Sequence, residues 1–223
     1  MTIAELALTY VADNQALGLG SGRAATAFVL ALGDRVRGGL KVRGVPTSRL
    51  TAELAQSNGI PLTNLAEVGR LDIAFDGADE VSPGLDLIKG YGGALVREKI
   101  VAASARRFVI LVGPEKKVAV LGSRGRLPVE VVPFGLELVR HRLDGLGLKA
   151  ELRQAGTQPF VTDNANVILD VKIGALADPA ALETQLRLIP GVVGTGLFLG
   201  MADVVLIQHA DKVETLTANG RLA

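Results

Sequence analysis

Short apolar runs alternate with amphipathic segments through the first half of this chain, and that alternation leaves few folds open to it. Residues 16–19, 41–45, 71–75 and 108–112 read as strands. Segments 24–36, 49–57 and 93–107 have helical periodicity, and the second of these ends at Asn58-Gly59, a helix-stop signal. Strands alternating with helices imply a largely parallel sheet covered on both faces. At the N-terminus Thr2 and Glu5 form a capping-box pattern before the helical face of Ile3, Leu6, Ala7, Tyr10 and Val11.

The rhythm changes after Pro128. Strand 129–132, helix 136–146, strands 149–153 and 166–172, helix 179–188 and strand 192–199 follow in order. This β-α-β-β-α-β unit predicts a small ferredoxin-like α+β domain. Residues 202–207 are again an apolar run, interrupted only by Asp203, so the chain is expected to return there to the first sheet. The expected fold class is therefore α/β, a Rossmann-like mostly parallel sheet flanked by helices, with a smaller ferredoxin-like domain. Its domains are 1–127 plus 202–223 and 128–201.

Composition narrows the chemistry. There are no cysteines and two histidines, His141 and His209, which excludes disulfides, thiolate nucleophiles and a histidine-rich zinc centre. Both histidines read as surface residues. A net charge of +1 gives no basic face for nucleic acid or an anionic membrane. The longest uncharged stretch, 188–202, holds Pro190 and several glycines, which suits turns better than a membrane span. With no signal-peptide pattern, a cytoplasmic location is expected.

Three segments carry candidate chemistry. Gly18-Leu19-Gly20-Ser21-Gly22-Arg23 lies between a strand and a helix, where backbone N–H groups and the helix dipole favour an anion. Glycine at such turns is equally compatible with steric need alone. Arg23 replaces the last glycine of a dinucleotide fingerprint and no ribose-binding acid follows the second strand, which disfavours a nicotinamide dehydrogenase. Asp76-Gly77-Ala78-Asp79-Glu80 follows the third strand, at the edge where α/β sheets place their ligand crevices. These acids suit hydrogen bonding to sugar hydroxyls, proton transfer or a hard cation.

The third segment is Lys89-Gly90-Tyr91-Gly92-Gly93, leading into Arg97-Glu98-Lys99. Glu98 falls within the apolar stripe of Ala94, Leu95, Val101, Ala102 and Ala105, where a carboxylate is costly unless it is partnered. It reads either as a structural ion pair with Lys89, Lys99 or an arginine, or as a general base tuned by burial and a nearby ammonium. The glycines before it expose N–H groups in the manner of an oxyanion hole. Lys116 and Lys117 fit surface lysines, or a lysine reaching a phosphate from a strand end.

Together these motifs resemble the A-type ribose-5-phosphate isomerases. The likeness runs through Leu127-Pro128-Val129-Glu130-Val131-Val132-Pro133, Val161-Thr162-Asp163-Asn164, Ile189-Pro190-Gly191-Val192-Val193 and Thr195-Gly196-Leu197-Phe198. It implies interconversion of ribose 5-phosphate and ribulose 5-phosphate through an enediolate, without metal or cofactor, in a homodimer or homotetramer. By the same resemblance Glu98 is the base, Asp76 and Asp79 help open the furanose and shuttle hydroxyl protons, and Lys89 with the glycines after it stabilises the developing oxyanion, while Gly90, Tyr91 and Gly92 bind substrate. Gly77 and Ala78 lie in the same substrate-binding stretch. Ser21, Gly22, Arg23, Ala24 and Lys116 take the phosphate. The family's phosphate turn reads Thr-Gly-Ser-Thr, so this chain has lost two hydroxyl donors and gained a guanidinium at Arg23. Tyr91 stands where glycine is usual. A CoA-transferase relative with a glutamate nucleophile and a sugar-phosphate sensor domain remain the alternatives; the sensor lacks any DNA-binding pattern here.

Overall fold

The computed structural model describes residues 1–217. Helix α1 (Ile3–Leu8) opens the chain on the expected capping box, with Thr2 and Glu5 exchanging side-chain and backbone bonds. Strand β1 (Gln15–Leu19), helix α2 (Arg23–Arg37), strand β2 (Val42–Pro46), helix α3 (Arg49–Ser57), a single turn α4 (Leu65–Val68) and strand β3 (Leu71–Asp76) follow. Two short strands, β4 (Glu80–Val81) and β5 (Leu87–Ile88), then precede helix α5 (Leu95–Ala103) and strand β6 (Ala105–Val112).

The chain next leaves this body through β7 (Arg126–Val131), α6 (Leu136–Gly145), β8 (Ala150–Leu152), a hairpin of β9 (Gln154–Ala155) and β10 (Gln158–Pro159), β11 (Val167–Lys172), α7 (Pro179–Arg187) and β12 (Val192–Thr195). It returns through β13 (Leu197–Phe198), β14 (Val204–Gln208) and β15 (Val213–Thr217).

The main sheet has the order β15-β14-β6-β3-β1-β2, parallel throughout except for the antiparallel edge strand β15. Period-2 alternation divides its side chains between two cores. Leu17, Leu19, Ile73, Phe75, Val109 and Leu111 pack with Phe28, Val29 and Leu32 of α2 on one face. Ala74, Phe108, Ile110 and Val112 pack with Val101 and Ala102 of α5 on the other. From β1 the chain steps outward to β2, then crosses back to β3, so the strand order reverses between β1 and β3. Open α/β sheets place a ligand crevice at such a point.

The second sheet has the order β12-β7-β11-β8, all antiparallel. Numbered within its own β-α-β-β-α-β unit this is 4-1-3-2, the ferredoxin-like order that the sequence pattern implies. Leu127, Val129, Val131, Leu169 and Val171 bury one face of it under Val139, Leu143 and Leu186 of the two helices.

Two expected elements change. The helix read over 93–107 is shorter, because Gly93 has φ +91° and lies outside it, while the Ser104 hydroxyl closes on the Ile100 carbonyl. Ala105 and Arg107 instead join the β3 ladder opposite Leu71 and Ile73. The strand read over 192–199 is broken at Gly196, whose carbonyl accepts from Lys89 N–H and whose N–H donates to Pro128. Its second half, β13, therefore pairs with β5 beside the glycine loop.

Candidate active site

The carboxyl ends of β1, β3 and β6 meet at the switch point and open a cleft. Its walls are Ser21–Ala24 after β1, Gly77–Asp79 after β3, Gly113, Glu115 and Lys116 after β6, and Lys89, Gly90, Gly92 and Glu98 from the segment leading into α5. Residues more than 90 positions apart in sequence thus share one small volume.

At the bottom sits a charged cluster closed to water. Lys89, Asp76 and Glu98 are 2%, 2% and 3% exposed. The Lys89 ammonium lies 3.1 Å from Asp76 Oδ2 and 3.3 Å from Glu98 Oε2, and donates to the Gly77 carbonyl at 2.6 Å. These two carboxylate oxygens have no other polar partner among the described residues. The opposite oxygen of Glu98 accepts from the Ser21 hydroxyl at 2.6 Å. Asp76 Oδ1 accepts from the Ser21 and Gly77 amides at 2.9 and 2.8 Å. Glu98 is thus held on both oxygens, with its carboxyl facing the cleft.

The charges shift one another. Burial and the Glu98 carboxylate push Asp76 up to about 7, against the pull of Lys89. Burial alone would depress Lys89, but Asp76 and Glu98 hold its ammonium above the ordinary lysine value. Burial also raises Asp79, which accepts from the Tyr91 amide at 2.9 Å and lies 3.9 Å from Lys116. One ammonium between two carboxylates leaves a site that can hold or release a proton near neutral pH.

The mouth of the cleft is basic. Helix α2 starts at Arg23 with Gly22 as its cap and no side chain bonded to its first amides, so those donors face the opening. Lys116 stands opposite. Arg23 is 91% exposed and pairs with Glu115, 50% exposed, at 3.2 Å. Among the described residues, no cluster of three or more His, Cys, Asp or Glu side chains is placed to hold a metal ion.

Some placements differ from expectation. Asp76 was expected to touch substrate, but it lies a layer below the cleft wall, its carboxyl turned to Lys89 and to two backbone amides. Gly20 is needed for this: a Cβ there would stand 2.2 Å from the Asp76 carboxyl carbon. The glycine turn therefore serves an internal carboxylate as well as an outside anion. Tyr91 contributes backbone only. Its ring stacks on Arg126, 3.9 Å from ring centroid to guanidinium, and its hydroxyl donates to the Arg126 carbonyl. Of the ion-pair partners considered for Glu98, Lys89 is the one found; Lys99 pairs instead with Glu183. His209 lies in the turn between β14 and β15, as read, and its ring is 2.9 Å from Glu214. Sequence reading missed Glu115, which the run Gly113-Pro114-Glu115-Lys116 after a strand end was enough to flag.

Fold and site together define an α/β enzyme that moves protons on a small anionic ligand. Residues 43–212 match the family described as ribose 5-phosphate isomerase A (phosphoriboisomerase A), and the chain belongs to that family. A protein of Gloeobacter violaceus named ribose-5-phosphate isomerase A is 49% identical over 217 residues, covering 97% of this chain and 94% of that protein. The structure of ribose 5-phosphate isomerase A from Methanocaldococcus jannaschii superposes with a TM-score of 0.92 at 41% identity, over 97% of this chain and 96% of that one. A D-ribose-5-phosphate isomerase solved in complex with phospho-erythronic acid gives 0.92 at 38% identity, over 96% of each chain.

Proposed function

We propose that this chain interconverts D-ribose 5-phosphate and D-ribulose 5-phosphate, with Glu98 as the base that carries the proton. The observation that supports it most is a buried carboxylate on the cleft wall, fixed by Ser21 at 2.6 Å and Lys89 at 3.3 Å. Glu98 takes the hydrogen on C2 of the open-chain aldose. The electrons of that bond form the C1–C2 double bond, and the carbonyl electrons move onto O1 as an enediolate. Lys89 and the Gly92 N–H stabilise that charge. Asp79 passes the O2 hydroxyl proton to O1, and Glu98 returns its own proton to C1, giving the ketose with every proton accounted for. Asp79 also assists furanose opening, while Asp76 acts through Lys89 beneath it. The phosphate rests on the α2 N-terminus with Arg23 and Lys116.

The same reading gives the chain no metal or cofactor, a cytoplasmic location and assembly as a homodimer or homotetramer. It also assigns the catalytic body to residues 1–127 and 202–223, of which 218–223 lie outside the described residues, with residues 128–201 as the smaller unit. No helix among the described residues is long and apolar enough to cross a membrane. Family membership and the substrate name carried by the relatives do not favour a CoA-transferase or a sensor domain.

The test is ketose formation from ribose 5-phosphate by the purified chain with a chelator present. Glu98→Gln should fold normally and lose kcat by at least ~10²-fold. Solvent-deuterium exchange at C2 should disappear with it. Near-normal turnover by that variant would refute the assignment.

A further inference from the structure

The glycine loop before α5 has to present an N–H to the cleft, and glycines do not hold a fixed conformation by themselves. A turn bond from the Gly93 N–H to the Gly90 carbonyl at 3.0 Å closes the loop on itself, and a second hold comes from the second sheet. The Arg153 side chain, just past β8, donates from Nη1 to the Gly90 carbonyl at 2.8 Å and to the Tyr91 carbonyl at 3.1 Å. Its Nε and Nη2 are taken by both oxygens of Asp170 on β11, the first at 2.9 Å. Both side chains are nearly buried, at 10% and 13% exposure. Such a two-point pair fixes the guanidinium plane far better than a single contact.

The Arg153 backbone is also tied down. Its N–H donates to Ile168 in β11, and its carbonyl accepts from Phe160 across the hairpin. The Phe160 ring in turn lies against Gly93, where a Cβ would come within 2.4 Å of the ring. A rigid platform therefore stands behind the loop.

Peptide planarity turns this grip into an orientation. In a trans peptide, the carbonyl of one residue and the N–H of the next point in opposite directions. The Gly90 carbonyl points to Arg153, so the Tyr91 N–H points away and meets Asp79 Oδ2 at 2.9 Å. The Tyr91 carbonyl also points to Arg153, so the Gly92 N–H points the other way, towards the cleft that Gly92 lines. That N–H has no acceptor among the described residues. We infer that Arg153, oriented by Asp170, is a positioning residue that aims the Gly92 N–H at the oxygen where negative charge develops during isomerisation. The inference rests on the reaction proposed above. It gives the β-α-β-β-α-β unit a direct part in the chemistry although neither Arg153 nor Asp170 lines the cleft.

Steady-state kinetics of Arg153→Lys and Arg153→Gly on ribose 5-phosphate test it. A lysine offers no planar fork, so Arg153→Lys should lower kcat on the order of 10- to 100-fold, the scale of a misplaced catalytic donor. Its KM should stay within about 3-fold, because the phosphate contacts lie elsewhere. Added guanidinium should restore part of the kcat of Arg153→Gly. Arg142→Met removes an exposed guanidinium on α6 and should leave kcat unchanged. Should Arg153→Gly fail to fold, Asp170→Asn serves instead. It keeps the guanidinium but loosens its plane, and should lower kcat by about 3- to 10-fold. A loss confined to KM, no rescue of folded Arg153→Gly by guanidinium, or unchanged kcat in Arg153→Lys or Asp170→Asn overturns the inference. An inactive unmodified chain would instead sink the proposed reaction.

Discussion

Asp76→Asn removes one titrating group from the buried cluster, and its signature is a change in how stability depends on pH. In the folded chain, burial and the Glu98 charge raise Asp76 from 3.8 to about 7. The folded state thus keeps a proton that the unfolded chain has released by about pH 5. A raised acid contributes stability that is complete below the unfolded value and is lost as pH rises through the folded one. Between pH 5 and pH 8 the loss from this one group comes to about 2–3 kcal/mol. For a chain of this size that is roughly 5–10 °C in thermal midpoint. Asparagine keeps an oxygen for the Ser21 and Gly77 amides, now 2.9 and 2.8 Å from Asp76 Oδ1. Its NH₂ group, however, faces the Lys89 ammonium that Oδ2 now meets at 3.1 Å. That mismatch costs about 1–3 kcal/mol at every pH, so the slope and not the absolute stability carries the answer. Calorimetry of both proteins from pH 5 to pH 8 reads it. The unmodified chain should lose the stated margin relative to Asp76→Asn; parallel curves would mean that Asp76 is ionised throughout, and the description of the cluster would be wrong.

Gly20→Ala forces a Cβ to within 2.2 Å of the Asp76 carboxyl carbon and should destabilise the fold by about 1–3 kcal/mol, read as a lower urea midpoint; an unchanged midpoint would show the carboxyl free to step aside. Arg23→Ala should raise KM for ribose 5-phosphate about 3- to 10-fold with little change in kcat, since an exposed guanidinium at the mouth binds phosphate in ground and transition states alike. Unchanged KM would place Arg23 outside the site.

What the sequence disclosed, and what it hid, follows from how local each signal is. The main sheet was legible because strands buried on both faces, such as 108–112 and 204–207, read as unbroken apolar runs. Glu98 was legible for the opposite reason, as one charge inside an apolar stripe. Strand β15 went unread because Val213–Thr217 is a half-exposed edge with no apolar run. The depth of Asp76 was hidden too: a carboxylate ending a strand looks the same whether it faces ligand or a lysine beneath it. Arg153 and Asp170 left no trace, because their pairing depends on β8 and β11 being neighbours and their target is backbone 60 residues away. Polar contacts to main chain have no periodicity for a sequence to reveal.

The charge layout explains why two carboxylates and a phosphate can share one cleft. Three ionisable groups at its floor carry at most one net negative charge, because Lys89 lies between Asp76 and Glu98. The mouth is built the other way, from the open amides of α2, Lys116 and Arg23, whose guanidinium pairs with Glu115. A ligand with a dianionic end and a neutral polyol end has one favourable orientation in such a field, phosphate outward and carbonyl inward. On this reading, orientation is settled by charge before any hydroxyl is recognised. On the proposed function, the two hydroxyl donors lost from the phosphate turn fall at the mouth, where Arg23 stands, and not at Glu98, which keeps its Ser21 and Lys89 partners.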